Sequence, residues 1–156
     1  MTFAELDEGQ FALWLIDANA DYVRERIAAG DSRAEAESNA AASFQHLIPG
    51  GQRAPGQLMG RVHVAGHEVG FLWIGPRDTD PTRWWVWDIS INEERRGQGH
   101  GRATMELAER LAQEHGATTL GLNVFGHNHV ARTLYQSLGY EENAIQMRKS
   151  LMAVPN

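Results

Sequence analysis

The stretch Arg96-Gly97-Gln98-Gly99-His100-Gly101 lies between a strand-like run, Trp84 to Ile91, and a strongly helical one, Arg102 to His115. Glycine reaches positive φ without penalty and lets the backbone approach a ligand closely, while the first N–H groups of the following helix point outward at the positive end of its dipole. A pyrophosphate is the natural guest of such a turn; a tight connection without a ligand is the alternative. Two common phosphate loops are excluded. No Gly-Lys-Ser/Thr is present, as a P-loop requires, and a dinucleotide fold puts its glycines in an early strand–helix–strand unit, whereas these lie well past the midpoint of the chain.

The rest of the chain supplies elements on either side of this turn. Phe11, Leu15, Ala18 and Tyr22 recur at helical spacing and Gly30 offers a stop, which predicts a long amphipathic helix from Asp7 to Ala29. Ser32-Arg33-Ala34-Glu35 has the capping-box pattern, and Ala36, Ala40, Phe44 and Leu47 continue one face, so a second helix runs to about Leu47. Pro49-Gly50-Gly51 and Pro55-Gly56 then leave a loop of the kind that connects elements or borders a cleft. Leu58 to Val64 and Glu68 to Ile74 flank Ala65-Gly66 as an antiparallel hairpin, and Trp84 to Ile91 follows as the next strand. In the helix after the glycine turn, Thr104, Leu107, Ala108, Leu111 and His115 line one face, Glu106 and Arg110 can pair across a turn, and Gly116 supplies the end. A strand from Thr119 to Phe125, a helix from Asn128 to Leu138 and a final strand from Ala144 to Leu151 complete the order. The strands starting near Trp84 and Thr119 should be parallel, because a crossover helix joins parallel neighbours.

Composition narrows the class. The 156 residues fit a single domain, 1–156, with no repeat or linker, and 42% hydrophobic with 22% charged residues is ordinary for a globular chain. The longest apolar run, Phe11 to Ile16, is too short to cross a bilayer, and Met1-Thr2-Phe3-Ala4-Glu5 lacks a secretory pattern, so the expectation is a cytoplasmic protein without a membrane partner. The absence of cysteine excludes disulfides and zinc–thiolate sites. Fourteen basic against twenty acidic residues give a net charge of −6, which argues against nucleic acid as a partner and makes cationic guests easier. Every basic residue but Lys149 is arginine, whose planar fork suits phosphate oxygens, and Arg95, Arg96 and Arg102 flank the turn.

A second block, Leu122-Asn123-Val124-Phe125-Gly126-His127-Asn128, leads into Ala131, Leu134, Tyr135, Gly139 and Tyr140. The glycine turn resembles the acetyl-CoA loop of the GNAT superfamily of N-acetyltransferases, whose pattern Gln/Arg-x-x-Gly-x-Gly/Ala is filled by Arg96, Gly99 and Gly101. The second block is similar to that family's strand, Asn-x-x-Ala-x-x-Leu-Tyr helix and closing Gly-aromatic pair. The likeness is close from Trp84 to Leu151 and holds only by element order before that. It implies an α/β GNAT fold: a mixed, mostly antiparallel sheet with a parallel, splayed strand pair, flanked by helices. It also implies transfer of an acetyl group from acetyl-CoA, as cosubstrate, to a primary amine of a small molecule or peptide, directly because no cysteine is present. A non-catalytic acyl-CoA-binding module is the alternative. A homodimer is compatible with the reading, and neither the acceptor nor the oligomeric state is legible.

The resemblance assigns the pantetheine arm to the backbone of Ile89, Ser90 and Ile91, and the pyrophosphate to Arg96, Gly97, Gln98, Gly99, His100, Gly101 and Arg102. Asn128 either caps the next helix through its side chain or donates to the pantetheine. Tyr135 matches the Leu-Tyr position, where the hydroxyl faces the CoA sulfur; a phenol with a pKa of about 10 stays protonated at neutral pH and can protonate a departing thiolate. Several relatives carry glutamate where this chain has Asn123, and an amide is no base. Asp88, flanked by tryptophans whose bulk can raise its pKa, is the candidate base, or else a paired structural carboxylate. His127 and His129 flank Asn128 as further candidates for the base, but loop histidines are more often solvated, and no third ligand makes them a metal site. Alternation puts Trp85 and Trp87 on one strand face and Trp84 on the other, so that a tryptophan could line an acceptor cleft and hold a cation by its π face, while core packing is the expectation for most.

Overall fold

The computed structural model describes residues 1–28, 30–145, 147, 149 and 151. The chain divides into two compact units, Met1–Asn123 and Val124–Asn156.

In the first unit, strand β1 (Thr2–Glu5) leads into helices α1 (Glu8–Ala28) and α2 (Arg33–Leu47). The capping box forms as its sequence predicts: the Glu35 N–H donates to the Ser32 hydroxyl oxygen at 3.3 Å, and the Ser32 N–H donates to the Glu35 carboxylate at 2.9 Å. Strands β2 (Leu58–Val64) and β3 (His67–Pro76) make the expected hairpin, its turn carried by positive φ at Ala65 and Gly66. Strand β4 (Arg83–Ile91), helix α3 (His100–Glu114) and strand β5 (Thr119–Leu122) follow. The five strands lie in sequence order, antiparallel except for the parallel β4–β5 pair. The architecture is therefore the mixed, mostly antiparallel α/β sheet with flanking helices that the sequence implies. β1 was not among the expected strands; its four residues fall below the length at which alternation can be read.

Both faces of the sheet are covered. On one, Phe11 and Trp14 of α1 pack against Phe71 and Trp73 of β3, within a cluster that includes Leu6, Ile48 and Met59. On the other, α3 packs on β3 and β4 and buries Thr104, Met105, Leu107, Ala108 and Ala112. Arg110 does not pair with the Glu106 carboxylate; it donates instead to the Glu106 carbonyl oxygen, at 3.3 Å.

The pairing of β3 with β4 contains one irregularity. Trp73 faces Asp88 and Ile74 faces Val86, so Trp87 is an extra residue in β4, a bulge that bends the strand and shifts its side-chain phase.

In the second unit, helix α4 (His129–Ser137) forms within the expected span. The described residues of the expected final strand, 144, 145, 147, 149 and 151, carry no regular structure, and positions 146, 148 and 150 lie outside the described residues.

A Cβ on Gly70 would run into the Ser90 carbonyl oxygen of β4 and reach within 3.1 Å of the Ile91 side chain. Backbone of a paired strand cannot step aside, so Gly70→Ala should destabilise the protein by about 1–3 kcal/mol. Urea unfolding checks this; an unchanged midpoint would mean that β4 shifts freely at its end.

Candidate functional site

The parallel ladder between β4 and β5 is short. It joins Arg83 to Thr119, Trp84 to Leu120, Trp85 to Gly121 and Val86 to Leu122, and then stops. The other edge of β4 remains paired with β3 as far as Gly70 and Ile91. Ile89, Ser90 and Ile91 therefore have no strand partner on the β5 side among the described residues. An edge of this kind offers N–H and C=O groups to an extended ligand, as it would to an added strand.

Immediately beyond Ile91 a short 3₁₀ turn, Glu93–Arg95, brings the chain to the glycine loop. Gly97 and Gly99 have φ of 72° and 80°. Gly99 is the N-cap of α3, which begins at His100, two residues before the expected start, and no side chain caps it. Glycine at the N-cap has no side chain to accept from the first-turn N–H groups of α3. A Cβ at Gly97 or Gly99 would meet nothing within 4 Å, so the loop has an open cradle on the side where side chains would stand. Gln98 donates to the Glu94 carbonyl at 3.2 Å, and Arg96 donates through Nε to the Ile91 carbonyl at 3.0 Å, tying the loop to the end of β4. The loop and the open edge consequently form one continuous backbone surface.

The bulge decides where Asp88 stands. As the partner of Trp73, Asp88 takes the face covered by α1, the same face as Trp87, whereas strict alternation from Trp87 would turn it away. On this face the rings form a row: Trp14 to Trp73 at 5.6 Å, Trp73 to Trp87 at 6.0 Å and Trp87 to Trp85 at 6.5 Å between centroids. Trp73 is fixed by its indole N–H, which donates to Gln57 at 2.9 Å. Trp84 lies on the opposite face, its ring tilted against that of His115, the C-cap of α3, at 5.3 Å between centroids. Desolvation pushes the Asp88 carboxyl up from its ordinary pKa; a backbone hydrogen bond at Ile89 opposes the rise and the nearby charge of Glu25, on α1, adds to it. Among the described residues Asp88 has no ion pair. The cation on the Trp85 ring is the chain's own Arg77, 4.1 Å from the centroid.

In the second unit, Asn128 caps α4, its side-chain oxygen accepting from the Ala131 N–H at 3.1 Å. Tyr135 packs edge-on against Tyr140, whose backbone N–H donates to the Tyr135 carbonyl at 3.0 Å. Burial pushes the Tyr135 hydroxyl above its ordinary pKa, which keeps it protonated across the neutral range. His127 stacks with Phe125, and both His127 and His129 are exposed. Asn123, just past the end of β5, is exposed as well. Among the described residues no three His, Asp or Glu side chains gather where they could hold a metal ion, and no helix is long and apolar enough to cross a membrane.

Neither Glu25 nor Arg77 belongs to a motif that marks it in the sequence. Glu25 lies eleven residues, about three helical turns, beyond Trp14, and that spacing was the available signal. For Arg77 there was none, because turn geometry sets where its side chain lands.

The profile of the GNAT acetyltransferase family matches residues 18–140, and the chain belongs to that family. It is similar over 153 residues, at 26% identity, to the uncharacterized N-acetyltransferase YdgE of Bacillus subtilis, covering 96% of this chain and 98% of that one. It is 28% identical over 145 residues to the uncharacterized N-acetyltransferase YycN of the same organism, covering 91% and 93%. The crystal structure of YycN superposes with a TM-score of 0.82 over 97% of this chain and 99% of that one, at 26% identity. AAC(6')-Iy in complex with the bisubstrate analog CoA-S-monomethyl-acetylneamine shares the fold, with a TM-score of 0.56 at 16% identity over 96% and 97% of the two chains.

Asp88 has a testable linkage. Its pKa is raised in the folded state, so the carboxylate costs stability once it ionises: there is no penalty below the unfolded value of 3.8, and it grows as pH rises through the folded value. The stability of Asp88→Asn relative to wild type should therefore improve from acid to neutral pH in urea titrations. A difference that moves the other way would mean that Asp88 is a charge-paired, stabilising carboxylate.

Proposed function

We propose that the protein transfers an acetyl group from acetyl-CoA directly to a primary amine, as one domain spanning 1–156. The observation that carries this reading is the continuous backbone surface made by the open edge of β4 at Ile89–Ile91 and the uncapped, glycine-lined start of α3. Acetyl-CoA, when bound, supplies the activated thioester. The α3 N-terminus, with Gly97 and Gly99 clearing the approach and Arg95, Arg96 and Arg102 around it, has the donors and the dipole sign for pyrophosphate oxygens. The edge of β4 can hold the amides of the pantetheine arm. Asp88 takes the proton of the attacking amine, directly or through water, since its elevated pKa brings a carboxylate closer to useful basicity. Tyr135, held neutral by burial, gives a proton to the departing thiolate. The family match across both units and the CoA-analog complex of AAC(6')-Iy support the donor, and the lack of a membrane-spanning helix among the described residues fits a cytoplasmic setting.

The second reading, an acyl-CoA-binding module without catalysis, is favoured by Asn123 at the position where the family resemblance puts a glutamate in several members. Thiol release from acetyl-CoA in the presence of a panel of amines separates the two. Amine-dependent release supports the enzyme; tight acetyl-CoA binding without release supports the module.

Two substitutions divide binding from chemistry. Gly99→Val places a β-branched side chain at a φ of 80° and in the path of the pyrophosphate, so acetyl-CoA affinity in calorimetry should fall sharply while circular dichroism shows a folded protein. Unchanged affinity would put the donor elsewhere. Tyr135→Phe should lower kcat by about 10²–10⁴-fold with acetyl-CoA affinity little altered, as for a lost acid catalyst. An equal loss of affinity would make Tyr135 a binding residue, and an unchanged rate would leave the thiolate to water.

A further inference from the structure

Helix α1 is apolar on two sides. Phe11, Trp14 and Leu15 pack into the cluster on the sheet. On the far side of the same helix, Leu13, Ile16, Ala20, Val23 and Ile27 recur at alternating intervals of three and four residues, the spacing of a seam between two helices. This stripe is about 21 Å long. Leu13 and Ile16 are each 66% exposed and Ile27 is 37% exposed, Ala20 is exposed and Val23 is half-buried. A surface helix ordinarily keeps its outer side polar, so an open stripe with this spacing calls for a partner.

The charges beside the stripe point to which partner. Asp17 and Arg24, seven residues apart, stand along one flank of it, both exposed. Asp17 has no ion pair among the described residues. Arg24 pairs with Asp21 of its own helix, at side chains 73% and 59% exposed, and an exposed pair of that kind contributes little and can be exchanged for another. Counted outward from Ala20, apolar side chains stand four and seven residues toward the N-terminus, at Ile16 and Leu13, and three and seven toward the C-terminus, at Val23 and Ile27; the acid lies three residues before Ala20 and the base four after it. The apolar order thus reads almost alike in both directions, while the charges exchange sign.

Such a surface is complementary to itself when turned end to end. With a two-fold axis at Ala20, Leu13 and Ile16 of one copy lie against Val23 and Ile27 of the other, Asp17 meets Arg24 twice, and the small Ala20 side chain lets the two helices approach at their crossing. A parallel pairing would set this flank against the opposite one, where Ala12 and Asn19 carry no charge. We propose that the outer stripe of α1 is a self-association surface, on which α1 of a second copy of this chain docks antiparallel to form a two-fold dimer. One helix pair of this length buries less than the roughly 800 Å² per partner of a standard stable interface, so the dimer comes apart on dilution through the micromolar range.

Sedimentation velocity over a dilution series tests this, with circular dichroism to confirm that each variant is folded. Wild type should pass from dimer to monomer. Ile16→Glu, which two-fold symmetry places in the interface twice, should raise the dissociation constant about 100-fold, and Leu13→Gln is the milder second variant should Ile16→Glu fail to fold. Asp17→Arg alone and Arg24→Asp alone should each weaken the dimer about tenfold, and the two together should restore it, because the exchanged charges again meet their opposites. A protein that is monomeric at every concentration assigns the stripe to some other partner and overturns the proposal. A dimer indifferent to the substitutions at Leu13 and Ile16, or a double variant no tighter than the single ones, overturns it as well.

Discussion

The ladder between β4 and β5 ends after four pairs, and the candidate site is built on that early end. Gly121, third in β5, lies beneath the Trp85 ring, where any side chain would collide with the indole. One pair later the strands part. The bulge at Trp87 falls at the same point, so β4 bends and changes phase as it loses its neighbour. Two consequences follow from one local event: the backbone of Ile89–Ile91 is left as an unpaired edge, and Asp88 is turned to the face lined by tryptophans. Had β5 continued alongside to Ile91, backbone hydrogen bonds would have consumed the groups that an acyl carrier could use.

The glycine loop depends on the same strand. It begins where β4 ends, is anchored through Arg96 to the Ile91 carbonyl, and delivers α3 with a glycine at its N-cap and no capping side chain there. A capping side chain at Gly99 would gain only a few tenths of a kcal/mol over glycine, and at a φ of 80° it would be strained. The chain instead has a glycine there at positive φ, a choice that makes sense if a ligand supplies the missing acceptor.

Much of this was legible in the sequence because it is local. The capping box at Ser32, the hairpin at Ala65-Gly66 and the strand–glycine–helix order are each set by neighbours a few residues apart, and each forms. The parallel strand pair was legible from a rule of connectivity. What escaped depends on distant partners. β1 exists because β2 gives it an edge to pair with, β5 stops at Leu122 rather than Phe125 because its ladder runs out, and the bulge arises from the register of β3 against β4. Tryptophan crowding around Asp88 was visible, and so was the upward direction of its pKa, but the charge of Glu25 across from it was not. For the candidate site residues, sequence pattern supplied their identities and the fold supplies the backbone geometry around Ile89–Ile91 and the glycine loop.

The central claim is that the open edge of β4 and the start of α3 hold the acyl carrier through backbone groups. Amide hydrogen exchange, residue by residue, with and without CoA, reads those groups directly. The account predicts slowed exchange concentrated at Ile89–Ile91 and at Gly97–Arg102. Binding of CoA with exchange in both segments unchanged, and protection appearing elsewhere, would contradict it.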